Sequence, residues 1–235
     1  MKNLIVKNIK WFIIITILST IVWTSIFQSL NAAKNYEKIQ IFISVDNVKS
    51  ELLNNDILNN IPIKEIQIYK CNEDNTYYAT YLETSGIMSS DILIINKTLV
   101  ETKGSTSSFI ELDYKMMEKY NINLDSFEVI KVDGKIHAIV VYDKSKNINL
   151  LDKYFAIDEA NQDEVYCLVL NALSYHVGFS SNRSENLTEY AYEAISIMLN
   201  TNKKTQIKMI PHYKKWYHFL FYIKLFKLNV HPCKR

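Results

Sequence analysis

The sequence predicts an α/β fold in which an N-terminal transmembrane helix is followed by one mixed, mostly parallel sheet flanked by helices. Two observations predict this fold class. An uncharged and almost wholly apolar run extends from Trp11 to Leu30. Beyond it, β-rich apolar runs alternate with segments of helical periodicity, which is typical of the crossover units that build a largely parallel sheet.

The apolar run is long enough to cross a bilayer, because a helix rising about 1.5 Å per residue reaches roughly 30 Å over this length. Lys2, Lys7 and Lys10 precede it. The positive-inside rule therefore predicts a single-pass protein of the cell membrane with a cytoplasmic N-terminus and an extracellular domain. The predicted anchor residues are Trp11, Phe12, Ile13, Ile14, Ile15, Ile17, Leu18, Ile21, Val22, Trp23, Ile26 and Phe27. A cleavable signal peptide is the alternative, although Asn31-Ala32-Ala33 matches its cleavage pattern poorly.

Charge divides the chain into an acidic body between two basic ends. Residues 34–202 carry 15 lysines and arginines against 25 aspartates and glutamates, a balance of −10, whereas residues 203–235 carry nine basic residues and no acidic one. We therefore predict a basic stub with the transmembrane segment (1–33), an extracellular α/β domain (34–202) and a basic aromatic tail (203–235). An acidic body repels phosphate backbones, so nucleic acid is not an expected partner.

Within the body, periodicity and turn residues predict the elements in order. Asp46 or Asn47 is expected to cap the first helix after the first strand, and Gly86 to end a short aromatic helix. Asp133-Gly134 between two β-rich runs predicts a hairpin. Asn186, with Glu189 three residues later, resembles a capping box before the most amphipathic helix. The predicted strands are 39–45, 63–69, 91–95, 127–132, 136–142 and 165–170, and the predicted helices are 48–58, 77–85, 114–120 and 187–198.

The three cysteines, Cys71, Cys167 and Cys233, are too few and too scattered for a disulfide framework or a metal site. Cys71 closes a predicted strand and Cys167 lies inside another. We interpret both as small buried hydrophobic residues, with a single disulfide as the open alternative.

Five segments between Glu37 and Leu199 resemble the first lobe of the extracellular solute-binding proteins that serve ABC importers. More closely, they resemble small membrane-anchored relatives of these proteins in low-GC Gram-positive bacteria. The segments are KIQIFI (38–43), YYATY (77–81) before Gly86, SDILII (90–95), DGKIHAI (133–139), and YCLVLN (166–171) followed by Ser174, His176 and Gly178. The resemblance implies a solute-binding role without catalysis, accessory to an ABC-type transport system.

A complete binding protein of this type closes two lobes on its ligand, and this chain has residues for only one. A single lobe cannot enclose a small molecule, and enclosure is what such sites generally provide. The expected protein partner is therefore an ABC transporter subunit that supplies the other wall. The alternative is that the lobe serves as an interaction module or scaffold for another envelope protein.

In open α/β sheets, ligands bind beyond the carboxyl ends of the parallel strands. This rule predicts ligand-binding roles for Asp46 and Asn47 after the first strand and for Asn96 after the strand 91–95. Tyr77 and Tyr81, with the intervening Tyr78, are expected to supply aromatic walls. The competing interpretation is that Asp46 or Asn47 caps a helix, that Asn96 is a turn residue and that the tyrosines are half-buried packing residues.

No motif for catalysis, for a cofactor or for a metal is present in the sequence. His137 and His176 lie far apart, each in or beside a predicted strand, and we interpret both as structural. We therefore predict a protein that is not an enzyme and has no cofactor; an envelope hydrolase would require a histidine and a carboxylate to converge in one cleft.

The tail combines aromatic residues with lysines from Trp216 to Lys227. This segment is too short to span a bilayer. Its composition predicts an interfacial position, with the lysines facing anionic lipid. A disordered tail is the alternative.

Overall fold

The computed structural model describes residues 2–45, 47–104, 107–158, 161–178 and 189–200. The helices are α1 (Lys2–Asn31), α2 (Ser50–Leu58), α3 (Tyr78–Tyr81), which continues as a π-helical turn (Leu82–Ile87), α4 (Lys97–Gly104), α5 (Tyr114–Lys119) and α6 (Tyr190–Leu199). The strands are β1 (Lys38–Ile43), β2 (Glu65–Lys70), β3 (Ile92–Asn96), β4 (Val129–Val132), β5 (Lys135–Asp143), β6 (Ile148–Asn149) and β7 (Tyr166–Leu170).

The seven strands form one mixed sheet with the order β2-β1-β3-β7-β5-β4, and β6 pairs with β5. Strand β1 is parallel to both β2 and β3. Strand β7 enters between β3 and β5 and is antiparallel to both. The predicted fold class, an N-terminal apolar helix followed by a mixed α/β sheet, is confirmed; the parallel part of the sheet comprises β2, β1 and β3.

Helices cover both faces of the sheet, and alternate side chains of each strand enter two different cores. Ile39, Ile41 and Ile43 of β1 pack on one side with residues of α2 and α6. Phe42 packs on the other side with Leu82 of the π-helical turn. Every residue of β3 and β7 is buried, which explains why these strands read as continuous apolar runs.

The predicted N-cap at Asp46 or Asn47 is wrong. Asp46 lies outside the described residues, and helix α2 begins only at Ser50, with Lys49 at the N-cap position. The chain first forms a bridge between Val48 and Phe155, which holds the backbone extended beyond the end of β1.

Gly86 does not end the aromatic helix, because the π-helical turn continues through Ile87. A Cβ atom at Gly86 would lie 3.3 Å from side-chain atoms of both Leu82 and Phe42. The glycine therefore allows this turn to approach the sheet closely.

The predicted hairpin is confirmed, since β4 and β5 pair antiparallel across Asp133 and Gly134, which have φ angles of 51° and 80°. Two left-handed residues are what a two-residue hairpin loop requires.

Cys71 and Cys167 are both buried, as predicted. The predicted capping box includes Asn186, which lies outside the described residues.

Helix α1 contains one segment, Trp11–Asn31, that is long and apolar enough to cross a membrane. Its large apolar side chains are exposed. The hydroxyls of Thr16, Thr20 and Thr24 each donate to the backbone carbonyl four residues earlier, so these polar groups are satisfied within the helix. The helix fits a single-pass membrane anchor or a signal peptide. The tail from Thr201 lies outside the described residues.

Candidate functional site

The carboxyl ends of β1, β2 and β3 lie at one edge of the sheet, which we call the carboxyl edge. Because β7 is antiparallel, its first residue lies at the same edge, where Tyr166 pairs with Asn96. The backbone N–H of Lys97 donates to the carbonyl of Val165 there. Residues that precede β7 are thereby brought beside residues that follow β2 and β3.

Of the residues predicted to bind a ligand, the structure places Asn96 in the interior and Asn47, Tyr77 and Tyr81 at the surface. Asn96 is only 6% exposed, whereas Tyr77, just before α3, and Tyr81, at its end, are 68% and 50% exposed. Asn47 is exposed, and its carbonyl accepts from the backbone of Ala156. Asp46 lies outside the described residues. A ligand-binding role for these five residues remains a prediction.

Asn96 joins two carboxylates that the sequence-based prediction did not include. Its Nδ2 donates to Oε2 of Glu164 over 2.5 Å and, more weakly, to Oε2 of Glu73 over 3.4 Å. Its Oδ1 accepts from the backbone N–H of Thr98 over 2.9 Å, which fixes the orientation of the amide. The amide nitrogen therefore faces the acidic pair.

Two buried polar atoms beside this pair have no hydrogen-bond partner among the described residues: the Tyr166 hydroxyl and Oε1 of Glu73. The Tyr166 side chain is fully buried. Tyr166 is paired directly opposite Asn96, whose amide contacts both carboxylates. Burial raises the pKa of the Tyr166 hydroxyl, and the charges of Glu73 and Glu164 raise it further. Buried polar groups are rarely left unpaired, so each such group needs an explanation.

Tyr78 reaches the same edge of the sheet from the side of the core that contains Phe42, although its neighbours along the chain are exposed. Its hydroxyl lies 2.7 Å from the Ser44 hydroxyl at the end of β1. Burial raises the pKa of Tyr78, and the charge of Glu73 adds to the effect. We define the carboxyl-edge cluster as Ser44, Glu73, Tyr78, Asn96, Glu164 and Tyr166.

Sequence reasoning missed Glu73, Glu164 and Tyr166 for different reasons. Glu73 follows β2 closely, so the rule that selected Asn96 applies to it as well. Glu164 and Tyr166 lie at the amino end of β7, and only the antiparallel direction of that strand brings them to this edge. No local signal in the sequence gives that direction.

A histidine and a carboxylate do converge at the opposite, amino edge of the sheet, but inside the protein. The Ser174 hydroxyl donates to Oδ1 of Asp91 over 2.6 Å, and Nε2 of His176 donates to the carbonyl of Lys38 over 2.8 Å. All three side chains are buried. Since the serine hydroxyl donates to the aspartate rather than to the histidine, the arrangement is not a nucleophile with its general base. These contacts tie residues 171–178 to β1 and β3.

Among the residues that the structure describes, no group of three or more His, Cys, Asp or Glu side chains is placed to hold a metal ion. His137 is buried in β5, and its Nδ1 has no hydrogen-bond partner within the described part of the chain.

The first prediction from this site concerns Glu73. Burial raises its pKa above the ordinary value of 4.5, and the charges of Glu164 and Asp74 raise it further, whereas the Asn96 amide lowers it. Stability that depends on protonated Glu73 is thus complete below the unfolded-state pKa and is lost as pH rises through the folded-state pKa. We expect Glu73→Gln to be more stable than the wild type at pH 7, with an advantage that disappears near pH 4.

Urea unfolding of the full-length chain in detergent, followed by circular dichroism between pH 4 and 7, measures this difference. Glu118→Gln, which removes an exposed carboxylate from α5, is the matched control and should show no such trend. An advantage of Glu73→Gln that grows on acidification would contradict the assignment.

No protein-family model matches this chain, and no curated protein matches it either. Among solved structures, the chain is similar to an N-glycan transport solute-binding protein from Streptococcus pneumoniae. In the complex of that protein with Man1GlcNAc, identity is 22% and the TM-score is 0.32, over 45% of this chain and 25% of that protein. In a second crystal structure, identity is 19% and the TM-score is 0.33, over 46% and 25%. The match thus spans a quarter of that protein's length.

Proposed function

We propose that this protein is a membrane-anchored, non-catalytic solute-binding domain that serves an ABC-type transport system. The observation that supports it is the carboxyl-edge cluster, where the fully buried Tyr166 hydroxyl and Oε1 of Glu73 have no partner among the described residues. A bound polar solute would satisfy both groups, and convergent polar groups of this kind fix the orientation of ligands in binding sites.

The position of the cluster fits a site that a second protein completes. Glu164 is exposed, so the cluster reaches solvent on that side. In this proposal the partner is a subunit of the transporter, and it covers this opening and encloses the solute.

The short connection between helix α1 and strand β1 also suits this arrangement. Helix α1 ends at Asn31 and β1 begins at Lys38. The few residues between them reach about 20 Å at most, so the amino edge of the sheet stays near the membrane. The strands run away from that edge, and the carboxyl-edge cluster then points away from the bilayer. We propose the orientation given by the positive-inside rule, with the domain extracellular.

The second candidate function, an interaction or scaffold protein of the cell envelope, is favoured by one observation. Tyr77, at the N-cap position of α3, and Tyr81, at the last residue of this helix, are both largely exposed. Exposed tyrosines are common anchors at protein interfaces. In this alternative, α3 binds another envelope protein and the cluster binds no solute.

For the tail, a contact of Trp216 to Lys227 with anionic lipid remains a proposal.

Purification of the full-length protein from native membranes in mild detergent, with quantitative mass spectrometry, tests the two functions against each other. We expect ABC transporter subunits to be enriched over a control in which residues 1–33 anchor an unrelated domain. Tyr77→Ser with Tyr81→Ser should leave this enrichment unchanged. Enrichment of other envelope proteins without any transport protein, lost in the double variant, would contradict the transport function and favour the scaffold.

A further inference from the structure

We propose that the carboxyl-edge cluster binds the primary ammonium group of a small organic cation. The inference rests on the proposed function, since it names the chemical class of solute for the same site. Three features of the cluster carry it: its acceptors, its charge and the orientation of Asn96.

The first feature is an excess of acceptors over donors. Oε1 of Glu73 and the Tyr166 hydroxyl oxygen are buried, and neither has a hydrogen-bond partner within the described residues. The Glu164 carboxylate shares the Asn96 amide nitrogen with Oε2 of Glu73. A primary ammonium group carries three N–H donors and no acceptor. Its three N–H groups can therefore donate to Glu73, Glu164 and Tyr166, one to each.

The second feature is uncompensated negative charge. Oε2 of Glu73 and Oε2 of Glu164 both contact the Asn96 amide nitrogen, so the two carboxylates lie close together and repel each other when both are ionised. Among the described residues, no lysine or arginine forms a salt bridge with Glu73 or Glu164. A bound ammonium would relieve the repulsion, and the partly buried position strengthens its attraction to the carboxylates. A neutral polyol would satisfy hydrogen bonds but would leave the repulsion in place.

The third feature is the orientation of the Asn96 amide, which disfavours a metal ion. Metal ions such as Ca²⁺ and Mg²⁺ take oxygen ligands. Here Oδ1 of Asn96 accepts from Thr98, and Nδ2 faces the carboxylates. The cluster therefore offers a metal ion carboxylate and hydroxyl oxygens, but no amide oxygen.

Isothermal titration calorimetry of the full-length protein in nanodiscs of zwitterionic lipid, at about 0.15 M salt, tests the inference. The probe is 1,5-diaminopentane. Its matched neutral analogue is 1,5-pentanediol, and tetramethylammonium is a cation without N–H donors. We expect saturable binding of the diamine alone, weakened about tenfold or more by Tyr166→Phe and by Glu164→Gln. The control variant Glu118→Gln removes a charge away from the cluster and should bind as the wild type does.

Absence of saturable diamine binding up to about 10 mM would overturn the inference. So would binding of tetramethylammonium as tight as that of the diamine, or equal affinity in all variants. Binding of the diol, lost in Tyr166→Phe, in place of the diamine would overturn the cationic class while supporting a solute site. The proposed transport function is tested separately, because purification with transporter subunits requires no knowledge of the solute.

Discussion

Asp91→Ala is expected to lower the free energy of unfolding by about 3–5 kcal/mol, the usual effect of removing one partner from a buried charged network. Asp91 accepts from the backbone N–H of Gln40 and from the Ser174 hydroxyl, and a hydrogen bond from the Tyr175 backbone and the charge of His176 also favour its ionised form. Burial nevertheless raises the pKa of this carboxyl group. Alanine would leave these donors buried without their acceptor, which is why the expected loss is large.

Urea unfolding of the full-length chain in detergent measures this loss. Asp152→Ala is the matched control, since Asp152 is exposed, and it should stay within about 0.5 kcal/mol of the wild type. A loss below about 1 kcal/mol for Asp91→Ala would show that the network contributes little to the stability of the fold. The network would then not be what holds residues 171–178 against β1 and β3.

The second large effect is that replacing two buried tyrosines by phenylalanine should change the free energy of unfolding in opposite directions. Tyr154 and Tyr166 are both fully buried. The Tyr154 hydroxyl donates to Oδ2 of Asp56 over 2.8 Å, whereas the Tyr166 hydroxyl has no hydrogen-bond partner in the described part of the chain. We expect Tyr154→Phe to lose about 1.5–3 kcal/mol, because it removes a hydrogen bond to a charged group. Tyr166→Phe should instead gain about 1 kcal/mol, because it removes an unpaired buried hydroxyl.

The same unfolding experiment tests both variants, and each serves as the control for the other. A loss of stability in Tyr166→Phe as large as in Tyr154→Phe would show that the Tyr166 hydroxyl has a partner in the ligand-free protein. A gain in stability, together with the weaker diamine binding expected above, would identify Tyr166 as a residue kept for binding at a cost to stability. Binding and catalytic sites often carry such a cost.

The sequence predicted the parts of the fold whose causes are local. The anchor follows from an uncharged run of sufficient length, and the hairpin follows from Asp133-Gly134, whose left-handed backbone closes β4 on β5. The strands β1, β2 and β3 follow from their composition. Errors occurred where tertiary contacts override local preference: the bridge between Val48 and Phe155 delays α2, and the close packing of Gly86 on Phe42 continues the helix beyond the glycine.

The residues of the candidate site also fall into those that a local rule predicted and those that only the tertiary structure brings together. The rule for carboxyl ends selected Asn96, which lies in the cluster, and Asn47, which does not. Of the three tyrosines expected to supply aromatic walls, Tyr78 lies in the cluster, whereas Tyr77 and Tyr81 do not. The rule did not select Glu164 or Tyr166, because a rule based on parallel strands does not apply to β7.

By itself, the sequence determined that the chain has an apolar helix long enough to span a membrane, an acidic body and a mixed α/β fold, because length, charge and periodicity are properties of neighbouring residues. Only the tertiary structure decided that β7 enters antiparallel between β3 and β5. That pairing brings Glu164 and Tyr166 beside Asn96 and Glu73, residues far away along the chain. Pairing over such a distance depends on how the whole core packs, and it decided where the unpaired acceptors of the carboxyl-edge cluster meet.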